Sequence, residues 1–124
     1  MKIGIKKELV INVLESLTAK NIGSGDLDVF ATPAMIMLME KASLELIKPY
    51  LSDGESTVGT KVDVSHLQAT LVGENINVIS ELVLIDRRRL VFSVKALCNG
   101  TLIGEGTHER FIINCEKFMS KLRG

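Results

Sequence analysis

The segment from Thr32 to Ile47 constrains this chain more than any other part of it. Thr32 is a good N-cap, and Pro33 after it has its φ preset for a first helical turn, where a missing N–H costs nothing. Ala34 to Ile47 is then dominated by Met, Leu, Ala, Glu and Lys, all good helix formers, before Pro49 and the Asp53-Gly54 pair end the run. Only Lys41, Glu45 and Lys48 form a clear polar stripe, spaced i, i+4 and i+7. A helix apolar around so much of its circumference is expected to be largely wrapped by other structure.

The rest of the chain reads as the wrapping. Lys7 to Ala19 is expected to be a first strand, with Leu9, Ile11 and Val13 on one side, and Asn21 to Asp28 a loop. Ser56 to Val64 is a second strand. Asn75 to Ile85 follows, with Ile76, Val78, Leu82 and Leu84 on a shared face, and Arg89 to Leu97 places Leu90, Phe92, Val94 and Ala96 inward. Asp86-Arg87-Arg88 and Asn99-Gly100 are the turns between these strands, the second a strong hairpin signal. Thr101 to Ile113 is the last long strand and Glu116 to Leu122 a short terminal helix. Gly104 and Gly106, two apart in a strand, would admit close approach of another backbone or a ligand. The expectation is one α+β domain over residues 1–124, with a mostly antiparallel sheet curled around one long central helix.

Charge and cysteine usage narrow the function. Fifteen basic and fifteen acidic residues cancel and tryptophan is absent, which disfavours a nonspecific nucleic-acid binder. Cys98 and Cys115 form neither a CxxC nor a Cys/His cluster, so no metal site is readable, and they read as ordinary buried thiols in a reducing compartment. Met1 to Ile11 lacks an apolar signal core, and no run approaches the eighteen or so apolar residues of a membrane span, so a cytoplasmic protein is expected.

Few residues could carry chemistry. Glu40 lies within about 40° of Ile36, Leu44 and Ile47 on a helical projection. Desolvation among aliphatics would raise its pKa and make it a useful base or acid; the alternative is that it snorkels at the helix flank or pairs with a lysine. Thr32 is eight residues earlier, about 12 Å along the axis, so it cannot bond Glu40 within the helix. Besides capping, it stands where free N–H groups polarise a carbonyl oxygen. His66 ends a strand, as a proton carrier or an ordinary strand-end residue. His108 and Arg110 share a face with the two glycines if the strand is regular, and read as part of a charge ladder. Arg87 to Arg89 is a solvated turn or a contact for a phosphorylated group. No G-x-S-x-G elbow is present, and Gly59-Thr60 and Gly73 are too sparse for a Walker loop.

Val29-Phe30-Ala31-Thr32-Pro33-Ala34-Met35, Leu38-Met39-Glu40, Val58-Gly59-Thr60, Val64-Ser65-His66, Ala69-Thr70, Gly104 to Arg110 and Glu116-Lys117-Phe118 together resemble the hotdog-fold thioesterases, specifically the fluoroacetyl-CoA thioesterase group. The resemblance is collinear over nearly the whole chain. It implies a thioester hydrolase with Thr32, Glu40 and His66 as the catalytic set and Gly59 and Arg110 as substrate-binding residues. It also implies a homodimer whose sheets join, with the acyl-CoA at the subunit interface. No metal or redox cofactor is implied, coenzyme A being part of the substrate. Two departures stand out: Gly23 and Asp26 occupy the positions of the family's lid phenylalanines, and Pro33 replaces its glycine after the threonine. Strict fluoroacetyl selectivity is therefore not expected. A noncatalytic acyl-CoA-binding domain is the rival. A hotdog hydratase fits poorly, because Asp26 and Asp28 are followed five residues on by Ala31 and Pro33 instead of histidine.

Overall fold

The structure, a computed structural model, describes residues 1–124. Strand β1 (Lys6–Asn12) leads through a 3-10 turn to the single-turn helix α1 (Ala19–Ile22), then the long helix α2 (Thr32–Ile47). Strands β2 (Glu55–His66), β3 (Asn75–Asp86), β4 (Arg89–Cys98) and β5 (Thr101–Asn114) follow, and helix α3 (Cys115–Arg123) ends the chain. No helix is long and apolar enough to cross a membrane.

The five strands form one antiparallel sheet in the order β1-β3-β4-β5-β2. The expected curl around the helix does not occur. β1 and β2 are unpaired outer edges, and the sheet is an open layer against one side of α2. The reason lies in α2 itself: Met35, Leu38, Met39, Ala42, Leu46 and Ile47 are buried, whereas Pro33, Met37 and Lys41 are exposed and Ile36, Glu40 and Leu44 only partly covered. One sheet satisfies one face. The greasy remainder, including Met37 at 49% exposure, stays uncovered in the single chain.

Beneath α2, the inward residues of β3 and β4 alternate as their sequence requires: Ile76, Val78 and Leu82, then Leu90, Phe92, Val94 and Ala96, all fully buried. Leu84 leaves this face because a register shift between Leu82 and Leu84 flips the alternation. The two polar residues in the layer satisfy each other. Ser43 donates to the Met39 carbonyl, and the Ser43 and Ser80 hydroxyls meet at 2.7 Å. At the β4–β5 hairpin, Asn99 and Gly100 both take positive φ, as a two-residue primed turn demands.

Two further expectations are corrected locally. β1 stops at Asn12 instead of running to Ala19, because its pairing partner β3 begins at Asn75; beyond that the chain turns, and Thr18 caps α1 by accepting from the Asn21 N–H. The cap of α2 is Ala31, with Thr32 the first helical residue and its hydroxyl directed elsewhere. The close approaches at Gly104 and Gly106 are made by the chain itself. A Cβ on Gly104 would collide with the Met35 sulfur, and one on Gly106 with the Asp63 carbonyl and Val64 backbone of β2.

Candidate active site

The N-terminus of α2 and the end of β2 meet. Thr32 Oγ1 lies 2.7 Å from His66 Nδ1, so the residue expected to cap the helix instead bonds the histidine. The other ring nitrogen, Nε2, is buried without a hydrogen-bond partner. Phe30 packs edge-on against the imidazole, with ring centroids 6.3 Å apart. Burial holds the His66 pKa below its usual value, with a backbone contact at Gln68 opposing, so the ring favours its neutral form. Thr32 and His66 line a cleft of about 290 Å³ with Ala19, Ser24, Val29 and Phe30. A neutral imidazole at the edge of a cleft, with one nitrogen tied to a hydroxyl and the other without a partner, can receive or deliver a proton.

Glu40 is elsewhere. It is two turns further along α2, above the region where Gly59 of β2 faces Arg110 of β5. Arg110 Nη1 lies 3.7 Å from Glu40 Oε2. The absence of a side chain at Gly59 makes room for this pair: a Cβ there would stand 3.0 Å from Glu40 Oε2, 3.2 Å from His108 Cε1 and 3.3 Å from Arg110 Nη1. The desolvation expected for Glu40 is not met within one chain, since its side chain is 43% exposed at the flank of the helix, with only its carboxylate end turned toward the sheet. Its partner is an arginine of the sheet, not a lysine of the helix.

Arg110 is almost fully buried, and its guanidinium is held from three sides. Nε donates to Thr57 Oγ1 at 2.8 Å, Nη2 to the Thr57 carbonyl at 2.9 Å, and Nη1 meets His108 Nε2 at 3.1 Å. His108, also buried, bonds the Lys61 carbonyl oxygen through Nδ1 at 2.8 Å. Burial is the main reason its pKa falls below the ordinary value; the Lys61 bond opposes, the Arg110 charge adds to the fall, and the Glu40 charge opposes. Thus His108 and Arg110 are not a solvated charge ladder. The ladder is on the opposite face, where Arg89 pairs with Glu109 at 3.0 Å and Thr60 bonds the same carboxylate, holding the Glu109 pKa down.

The structure therefore joins Thr32 to His66, and Glu40 to Gly59 and Arg110, but does not join the two groups within one chain. Sequence reasoning passed over Thr57 and treated His108 as ordinary. The i, i+2 alternation does put His108 and Arg110 on the same side as Gly104, but no local pattern says that this side lies under the helix.

The chain matches the family described as fluoroacetyl-CoA-specific thioesterase over residues 13–116. It belongs to that family. A fluoroacetyl-CoA thioesterase of Streptantibioticus cattleyicolor is 44% identical over 96 residues, covering 77% of this chain and 69% of its own length. The solved fluoroacetyl-CoA thioesterase FlK superposes with a TM-score of 0.92 at 36% identity, over 99% of this chain and 96% of that one. A variant of that enzyme in complex with acetyl-CoA superposes at 0.93 with 35% identity, over 99% and 97%. This member of the fluoroacetyl-CoA thioesterase family is thus a thioesterase of the hotdog fold, with the open sheet described above.

Proposed function

We propose that this thioesterase hydrolyses an acyl-CoA to the free acid and coenzyme A, at a site shared between two copies of the chain. The observation that carries the reading is the separation of the two polar groups on one α2. Thr32 and Glu40 are about 12 Å apart along the helix axis, too far to act on one carbonyl. A second copy supplies the missing half: Thr32 and His66 of one protomer face the partner's Glu40. Two surfaces support this arrangement, the unpaired twelve-residue edge of β2 and the half-covered face of α2 beside it. Residues 1–124 act as one domain in each copy.

In this scheme the thioester carbonyl is placed at the start of α2, where free helix N–H groups and Thr32 stabilise the oxyanion. The partner's Glu40 supplies the carboxylate, either as base for a water that attacks the carbonyl or as nucleophile forming a mixed anhydride that water then hydrolyses to the free acid; in both the C–S bond breaks and coenzyme A leaves. Neutral His66 takes up the proton released as water attacks and hands it to the coenzyme A thiolate, returning to its neutral form. Gly59 and Arg110 form the wall behind the reacting carboxylate.

The acyl preference is broad. Gly23, which ends α1 with φ of 92°, and Asp26 are both exposed, so neither places an aromatic side chain over the cleft; Phe30, in the same segment, lines it but is buried against the His66 ring. A carboxylate there costs free energy to desolvate and stays in water. The test is a panel of acyl-CoAs with thiol detection, with fluoroacetyl-CoA and acetyl-CoA side by side. Turnover with kcat/KM for the two within about tenfold is expected; a preference near a thousandfold, about 4 kcal/mol, would contradict the broad pocket. Binding without thiol release would favour a noncatalytic role.

A further inference from the structure

His108 has no part in the chemistry above, yet it is 2% exposed and both its ring nitrogens are engaged. Its two partners leave it a single state. A backbone carbonyl such as that of Lys61 only accepts, so Nδ1 carries the hydrogen. A guanidinium such as that of Arg110 only donates, so Nε2 is the unprotonated acceptor. The ring is neutral and in one tautomer, clamped against Phe92 of β4 at 6.2 Å between centroids. The titratable or charged groups facing it are Glu40 from α2 and Arg110 from its own strand; β2 contributes the Lys61 carbonyl and the open space at Gly59.

Arg110 needs this acceptor. Thr57 holds Nε and Nη2 on one side of the guanidinium, but Nη1, the nitrogen nearest Glu40, has only His108 to bond within the chain. We propose that His108 is a positioning residue for the thioesterase reaction: as a neutral hydrogen-bond acceptor it aims Arg110 Nη1 at Glu40 and thereby sets the carboxylate's reactive rotamer. This rests on the reading that Glu40 is the reacting carboxylate. The Lys61 end gives the device its anchor. Lys61 follows the register shift between Gly59 and Lys61, where Thr60 is the extra residue, so the β2 bulge and the carboxylate are linked through one imidazole.

The test compares His108→Leu, His108→Gln, Arg110→Met and the His108→Leu/Arg110→Met double variant with the parent, on the best acyl-CoA of the panel. His108→Leu should lower kcat by about tenfold or more while KM changes less than about threefold, and the double variant should be no slower than Arg110→Met alone. His108→Gln should keep kcat within about threefold of the parent, because its amide oxygen reaches the same nitrogen. If His108→Leu does not fold, His108→Asn takes its place; its shorter amide falls short of Nη1, and the same loss is expected. A folded Leu or Asn variant with parental kcat would overturn the proposal, as would losses that multiply in the double variant. Glu40→Gln is measured alongside. If it is inactive while His108→Leu is unimpaired, only the positioning role falls; if it turns over normally, the reading of Glu40 falls and the proposal with it.

Discussion

Thr32 shows how one hydroxyl serves an alternative partner once the fold brings it near. Ala31 takes the N-cap position with extended backbone, and the threonine side chain is released to His66. Glu40 makes the converse case, a carboxylate left exposed in one chain but backed by a buried guanidinium. Replacing it by glutamine removes the charge that the proposed reaction uses, as nucleophile or as base for water, and keeps the shape. Glu40→Gln should lower kcat on a good acyl-CoA by about a hundredfold or more, a barrier rise near 2.7 kcal/mol, with the oligomeric state by light scattering the same as the parent's.

The two histidines add a pH dependence whose sign follows from their burial. Both have folded pKa values below the ordinary 6.5. As pH falls through about 6.5, the unfolded chain binds protons that the folded chain does not. Their contribution to stability is therefore complete above about pH 6.5 and declines as pH drops toward the folded values. Urea midpoints should fall between pH 7.5 and 5.5, and less steeply in His108→Gln. A midpoint that rises on acidification over that range would contradict the buried, neutral assignment.

At the scale of the elements, β2 has two glycine contacts with different consequences. Gly106 on β5 faces β2 backbone, which cannot move aside without leaving its only partner strand. Gly106→Ala should therefore cost stability, about 2–3 kcal/mol in chemical denaturation, as overpacking against fixed atoms does. Gly59 faces the ends of three side chains, Glu40, His108 and Arg110. Those can shift by a few tenths of an ångström, so Gly59→Ala should fold with little loss of midpoint and lose kcat instead. Equal loss of midpoint in the two variants would show that the space at Gly59 is merely structural.

For the whole molecule, the proposed sharing of the site between two copies makes a prediction that no single-chain site makes. His66→Ala and Glu40→Gln damage opposite halves. Mixed dimers then combine one site broken twice with one site left whole. Subunits exchanged at equal ratio should recover about a quarter of parental activity, since half the dimers are mixed and each has one intact site of two. Recovery absent after confirmed exchange would place all three residues in one chain's site.

The helix from Thr32 to Ile47, the alternation in β4 and the Asn99-Gly100 turn were legible in the sequence because each depends on neighbours within a few residues: helix propensity, period-two burial and positive φ. The resemblance of the local motifs likewise singled out Thr32, Glu40 and His66 one by one. How these residues group depended on pairing between distant segments. The antiparallel register of β2 with β5 puts Gly59 opposite Arg110 and His66 opposite Gly104, and no local pattern states that register. The absence of a curl had the same origin. A helix with an apolar circumference demands cover, but the sequence of one chain does not say whether its own sheet or another copy provides it. Five strands with two free edges cover one face of α2 and leave Glu40 half-exposed at the border of that cover.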